Sequence, residues 1–120
     1  MKSDNLIVDK SYSFALETIL LYKELVYEKK EFVLSKQVLK SGTSIGANIE
    51  EAIGGQSKRD FFMKMTIAYK EARETKYWLR LLNDSDFLDK ECALKMISKV
   101  DELLRIIGSI QKTTKSKLNS

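Results

Sequence analysis

Residues 57–82 read SKRDFFMKMTIAYKEARETKYWLRLL, and the spacing of their apolar side chains decides the fold. Phe61, Met65, Ala68, Ala72, Thr75, Leu79 and Leu82 recur at alternating steps of four and three, the seam of a helix laid against other helices. Ser57 and Asp60 form an S-x-x-D start ahead of it. Upstream, Val38, Gly42, Ile45, Ile49 and Ala52 keep the same rhythm, with Ser35 as a candidate cap and Gly54-Gly55 as a stop. Downstream, Asn83 to Asp86 interrupt the pattern, and Asp89 can cap a fourth run whose seam is Ala93, Met96, Val100, Leu103, Ile107 and Ile110. Before all of these, Phe14, Leu21 and Leu25 share a line on a first helix, with Lys29 and Lys30 suited to its negative end.

The expected helices span about 6–30, 36–53, 58–83 and 89–115. The polar tail from Lys112 onward is expected to fray. Linkers this short make sequential helices antiparallel neighbours, so the expected fold is all-α, an up-down-up-down four-helix bundle formed by residues 1–120 as one domain.

Composition agrees with this fold and excludes several chemistries. The 120 residues include no Pro, five Gly, one Cys and no His. Without imidazole, Ser-His-Asp triads and the Glu-x-x-His di-iron motif have no material, and Glu50, Glu51, Glu71 and Glu74 are better read as solvated or ion-paired than as metal ligands. No cofactor or metal is expected. Cys92 lacks a base to activate it and reads as a small, partly buried hydrophobe. Neither phosphate-loop spacing occurs, and Gly54-Gly55 follows a helix instead of a strand. The N-terminus carries acids where a signal peptide needs an apolar run, and no stretch is long enough to span a bilayer, so the expectation is a cytoplasmic, non-enzymatic protein that leaves membranes alone.

Two of the helices carry more apolar surface than one bundle needs. On the first, Tyr12, Ile19 and Val26 extend the band beyond the core line, and only the sector of Ser13, Glu17, Glu24, Glu28 and Glu31 is consistently polar. An ordinary surface helix needs an apolar arc of roughly 100°; this band covers about twice that. The third helix adds Met63, Ile67, Trp78 and Leu81 opposite its seam. These positions predict a homo-oligomer interface, the alternative being an asymmetric bundle that hides both lines internally.

Charge is equally uneven. The net +4 of the chain is matched by residues 57–83 alone, where seven bases stand against three acids. Arg59, Lys70, Arg73, Lys76 and Arg80 fall within about 120° of one another on the third helix, and Phe62, Thr66, Tyr69 and Tyr77 share their arc. Cations neutralise phosphates and aromatic faces stack bases, so this stripe is a candidate RNA- or DNA-binding face; a solvated face with its aromatics packed under a neighbour is the plainer alternative. Lys112, Lys115 and Lys117 add a basic tail.

The run Leu34-Ser35-Lys36-Gln37, followed by Lys40-Ser41-Gly42-Thr43-Ser44-Ile45-Gly46-Ala47-Asn48-Ile49-Glu50-Glu51, resembles the L-[ST]-x-Q and R-[SA]-x-x-S-I-x-x-N-I-x-E signature of a four-helix-bundle family first described from intervening sequences of 23S rRNA genes. Lys58 to Phe61 and Ala68 to Glu74 match as well, and the likeness runs from about Phe14 to Ile110. Lys40 stands where the signature has Arg. The resemblance implies an antiparallel bundle assembled into a ring, commonly a homopentamer. Relatives encoded beside diversity-generating retroelements serve a reverse transcriptase and bind nucleic acid through basic surfaces, so an adaptor that holds a protein partner is the alternative function. Ser44, Asn48, Glu51 and Glu74 match the recurring polar positions; the first three share a helical face and read as a structural hydrogen-bond network at a helix crossing.

Overall fold

The computed structural model describes residues 2–119, with side chains from Leu6 to Asn119. They form four helices: α1 (Lys2–Tyr27), α2 (Leu34–Ile53), α3 (Lys58–Asp84) and α4 (Lys90–Leu118). Each packs on the next, and α4 closes more sparsely back onto α1. Cross-helix pairs show the directions. Ser11 and Thr18 of α1 face Gly46 and Gly42 of α2; Ser41 and Glu51 of α2 meet Thr75 and Lys64 of α3; Lys76 of α3 meets Asp101 of α4, and Tyr69 meets Gly108; Lys10 and Glu17 of α1 meet Glu102 and Lys99 of α4. One number falls as the other rises in every case, so the bundle is antiparallel, up-down-up-down, in an envelope of 50 × 21 × 20 Å.

The seams of α2, α3 and α4 are buried at every position except Phe61, which is half-buried. Phe14, Leu21 and Leu25 supply the α1 side, joined by Ile7. Apolar area removed from water drives this packing, at about 25 cal/mol per Å².

Small residues set how closely α1 and α2 approach. A Cβ on Gly42 would lie 2.7 Å from Thr18 Cγ2 and 2.9 Å from Thr18 Oγ1, and one on Gly46 would lie 3.4 Å from the Ser11 carbonyl oxygen. Thr18 is held in place because its hydroxyl donates to the Phe14 carbonyl at 2.8 Å.

The first helix begins at Lys2, four residues before its expected start, and three further helix ends differ from the sequence expectation. First, α1 stops at Tyr27, so Lys29 and Lys30 lie beyond it and its last turn carries no base. The chain turns there through Lys30 at φ 57°, and the Glu31 N–H donates to the Leu25 carbonyl at 2.8 Å. Second, Ser35 does not cap α2; it is buried inside the first turn. The cap is Glu31, expected on the polar stripe of the first helix, whose carboxylate accepts from the N–H groups of Val33 (3.2 Å), Leu34 (2.9 Å) and Ser35 (2.6 Å). Those are donors that a helix start leaves without partners. Third, the tail does not fray: α4 continues to Leu118, and Thr114 is buried.

The remaining caps form as expected. Ser57 accepts from the Asp60 N–H at 3.1 Å, and Asp89 from the Cys92 N–H at 3.3 Å. After α3, Asp86 takes φ 63°, with Phe87 N–H bonded to the Leu82 carbonyl at 3.0 Å and Asp86 N–H to the Asn83 carbonyl at 3.2 Å, a Schellman end.

Candidate nucleic-acid interface

The basic stripe of α3 borders a cleft shared with α4. Tyr69, Arg73, Lys76, Tyr77, Arg80 and Leu104 line it, and its volume is about 350 Å³. Three of the five predicted cations, Arg73, Lys76 and Arg80, therefore come together. Arg59 and Lys70 are exposed on the same helix outside the cleft. Lys76 is engaged: its Nζ lies 2.8 Å from Asp101 Oδ1, which leaves Arg73 and Arg80 as the more available charges in the cleft.

The aromatic members divide by exposure. Tyr77 is 51% exposed and meets Trp78 edge-on, ring centroids 5.1 Å apart at 69°. Tyr69 is half-buried and lies against α4, where Gly108 offers no side chain: a Cβ there would come within 3.6 Å of Tyr69 Cε2. Farther along, Gln111 Nε2 donates to Thr66 Oγ1 at 3.2 Å. Sequence reasoning placed Lys112 in a basic tail and missed Arg105. Arg105 and Lys112, both exposed, follow Asp101 and Gly108 by four residues each, so they continue the flank of α4 that is turned to α3.

On the opposite flanks, much of the predicted interface is open to solvent. Tyr12 (61%), Met63 (57%), Ile19 and Ile67 are exposed, and Val26 and Trp78 are half-buried. The first line extends through Leu16, Leu20 (65%) and Tyr27 (70%). The alternative in which both lines lie hidden inside one bundle does not hold for the exposed members, whereas Trp78 packs against the core of its own bundle. Trp78 keeps its indole N–H buried without a hydrogen-bond partner.

Ser44 and Asn48 are linked along α2, while Glu51 turns to α3. Ser44 Oγ donates to the Lys40 carbonyl at 2.6 Å and Asn48 Nδ2 to the Ser44 carbonyl at 2.8 Å, both within α2. Glu51 pairs with Lys64 Nζ at 2.9 Å. Burial, with the Glu74 charge adding to it, pushes the Glu71 carboxyl up against the opposing pull of Lys70 and Lys40. Besides the Glu51–Lys64 pair at the surface, a buried polar bond crosses from α2 to α3: Ser41 to Thr75, hydroxyl oxygens 2.9 Å apart.

Burial, with Glu24 and Asp89 adding to it, pushes the Cys92 thiol up, the wrong direction for a nucleophilic thiolate. Among the described residues no group of three or more Cys, Asp or Glu side chains is placed to hold a metal ion, and no helix is long and apolar enough to cross a membrane.

Comparison with known proteins agrees with this architecture. No curated protein matches the chain. Among solved structures it is similar to the crystal structure of a protein with unknown function from the S23 ribosomal protein family of Bacteroides thetaiotaomicron VPI-5482, at 49% identity over 92% of this chain and 98% of that one, with a TM-score of 0.90. The sequence model described as 23S rRNA-intervening sequence protein matches residues 3–109, which takes in all of α2 and α3 and most of α1 and α4. The chain belongs to the 23S rRNA-intervening sequence protein family.

Proposed function

We propose that this protein is a non-enzymatic, homo-oligomeric helical scaffold of the cytoplasm that contacts RNA or DNA through the α3–α4 basic face. The observation that carries the reading is the division of the outer surface. Apolar side chains lie open along α1 and along the α2-facing side of α3, whereas Arg73, Arg80 and their aromatic neighbours open on the α4 side. Two unlike apolar lines on one chain suit a heterologous contact, in which one line of a copy meets the other line of the next. Such contacts close into rings when the rotation permits, and the family resemblance implies a ring that is commonly a homopentamer.

Affinity through this face is electrostatic and falls as salt rises, because bound phosphates release counterions. Titrating single- and double-stranded oligonucleotides at several salt concentrations tests it. Binding that weakens steeply with salt, and that collapses in the Arg73→Glu/Arg80→Glu variant, is the expected result. Affinity indifferent to both contradicts the reading.

A further inference from the structure

We propose that the α3–α4 cleft is specific for single-stranded nucleic acid and receives an unstacked base against Tyr77, with Arg73 and Arg80 holding the flanking phosphates. This rests on the nucleic-acid reading above and names its substrate class.

A basic patch alone would serve a duplex equally well, since phosphates carry no information about strandedness. What differs here is concavity. The charges stand around a cavity of about 350 Å³ whose wall includes two tyrosines and Leu104. Paired bases are stacked on their neighbours and show a protein only their edges; a recess lined by aromatic rings and an apolar side chain is filled by a base that has left the stack.

The spacing fits a strand running along α3. Arg73, Tyr77 and Arg80 follow at steps of four and three residues on one stripe, so the guanidinium groups originate about 10 Å apart along the axis with the tyrosine between them. Tyr77 is also ready for the task. Its ring is half exposed and braced edge-on by Trp78, which limits the freedom lost on binding. At the cleft wall, Lys76 is held by Asp101 at 2.8 Å, so the phosphate contacts fall to Arg73 and Arg80.

The test uses the full chain and three probes of equal length: a mixed-sequence single strand, its duplex, and a single strand of abasic nucleotides. At one salt concentration the single strand should bind at least about fivefold tighter than the duplex or the abasic strand, the lower end of what one stacked base is worth. Tyr77→Ala should erase this advantage and leave abasic binding unchanged; Tyr77→Phe should keep it. Trp78 is the only tryptophan, so its emission reports base insertion next to Tyr77 directly and should change with the single strand alone.

Equal affinity for all three probes, or a Tyr77→Ala variant that binds single strands as well as the parent, overturns the base-stacking proposal. The electrostatic reading then stands if Arg73→Glu/Arg80→Glu abolishes binding. Absence of binding to every probe overturns both.

Discussion

Glu31 is the residue on which the start of α2 depends. Burial by itself would raise its carboxyl pKa, but hydrogen bonds from the backbone N–H groups of Leu34, Ser35 and Val33 outweigh that and hold it below the ordinary 4.5. Glu31→Ala strips three donors of their acceptor and should lower stability by about 1–2 kcal/mol in denaturant unfolding. Because the folded pKa is lowered, the contribution is complete above the ordinary value and is lost as pH falls through the folded one. The stability gap between the parent and Glu31→Ala should therefore shrink in acid; a gap that persists undiminished there contradicts a charge-assisted cap. Sequence periodicity placed Glu31 on the solvent stripe of the first helix, and the reason is local. A period of 3.6 can be carried past a helix end when nothing punctuates it, and Lys30 makes the turn in a left-handed conformation with neither Gly nor Pro to announce it.

At the scale of elements, the α1–α2 crossing is the contact most sensitive to a single methyl group. Gly42→Ala gains about 1 kcal/mol of intrinsic helix preference, yet its Cβ would sit 2.7 Å from a threonine side chain already tied to its own helix. Overpacking of this kind costs about 1–3 kcal/mol. Gly42→Ala should be destabilising, and Gly42→Ala/Thr18→Ala should recover most of the loss. Thermal unfolding of the singles and the double decides it, and strict additivity would show that the two positions do not touch. The helix seams were legible in the sequence because a step pattern of three and four states which side chains must be buried. Partners across a crossing were not. The likeness of Ser44, Asn48 and Glu51 suggested a shared network, whereas the buried polar bridge between α2 and α3 is Ser41 with Thr75, and no one-dimensional spacing relates residues 34 positions apart. The cleft was half legible for the same reason: Arg73, Lys76 and Arg80 follow from one helix, but Leu104 comes from another.

On the scale of the whole molecule, the apolar lines ask for a cover. Tyr12, Ile19, Leu20 and Tyr27 of α1, with Met63 and Ile67 of α3, stand exposed on a chain of 13.8 kDa, and patches of this kind mark interfaces on soluble proteins. Identical copies are the cover that the account requires. Ile19→Lys, on an already exposed position, should leave the helical content intact and break assembly. Size-exclusion chromatography coupled to light scattering puts the claim to its most direct test: the parent should elute as one species at five times 13.8 kDa, and a parent that stays at the single-chain mass at working concentrations would contradict it.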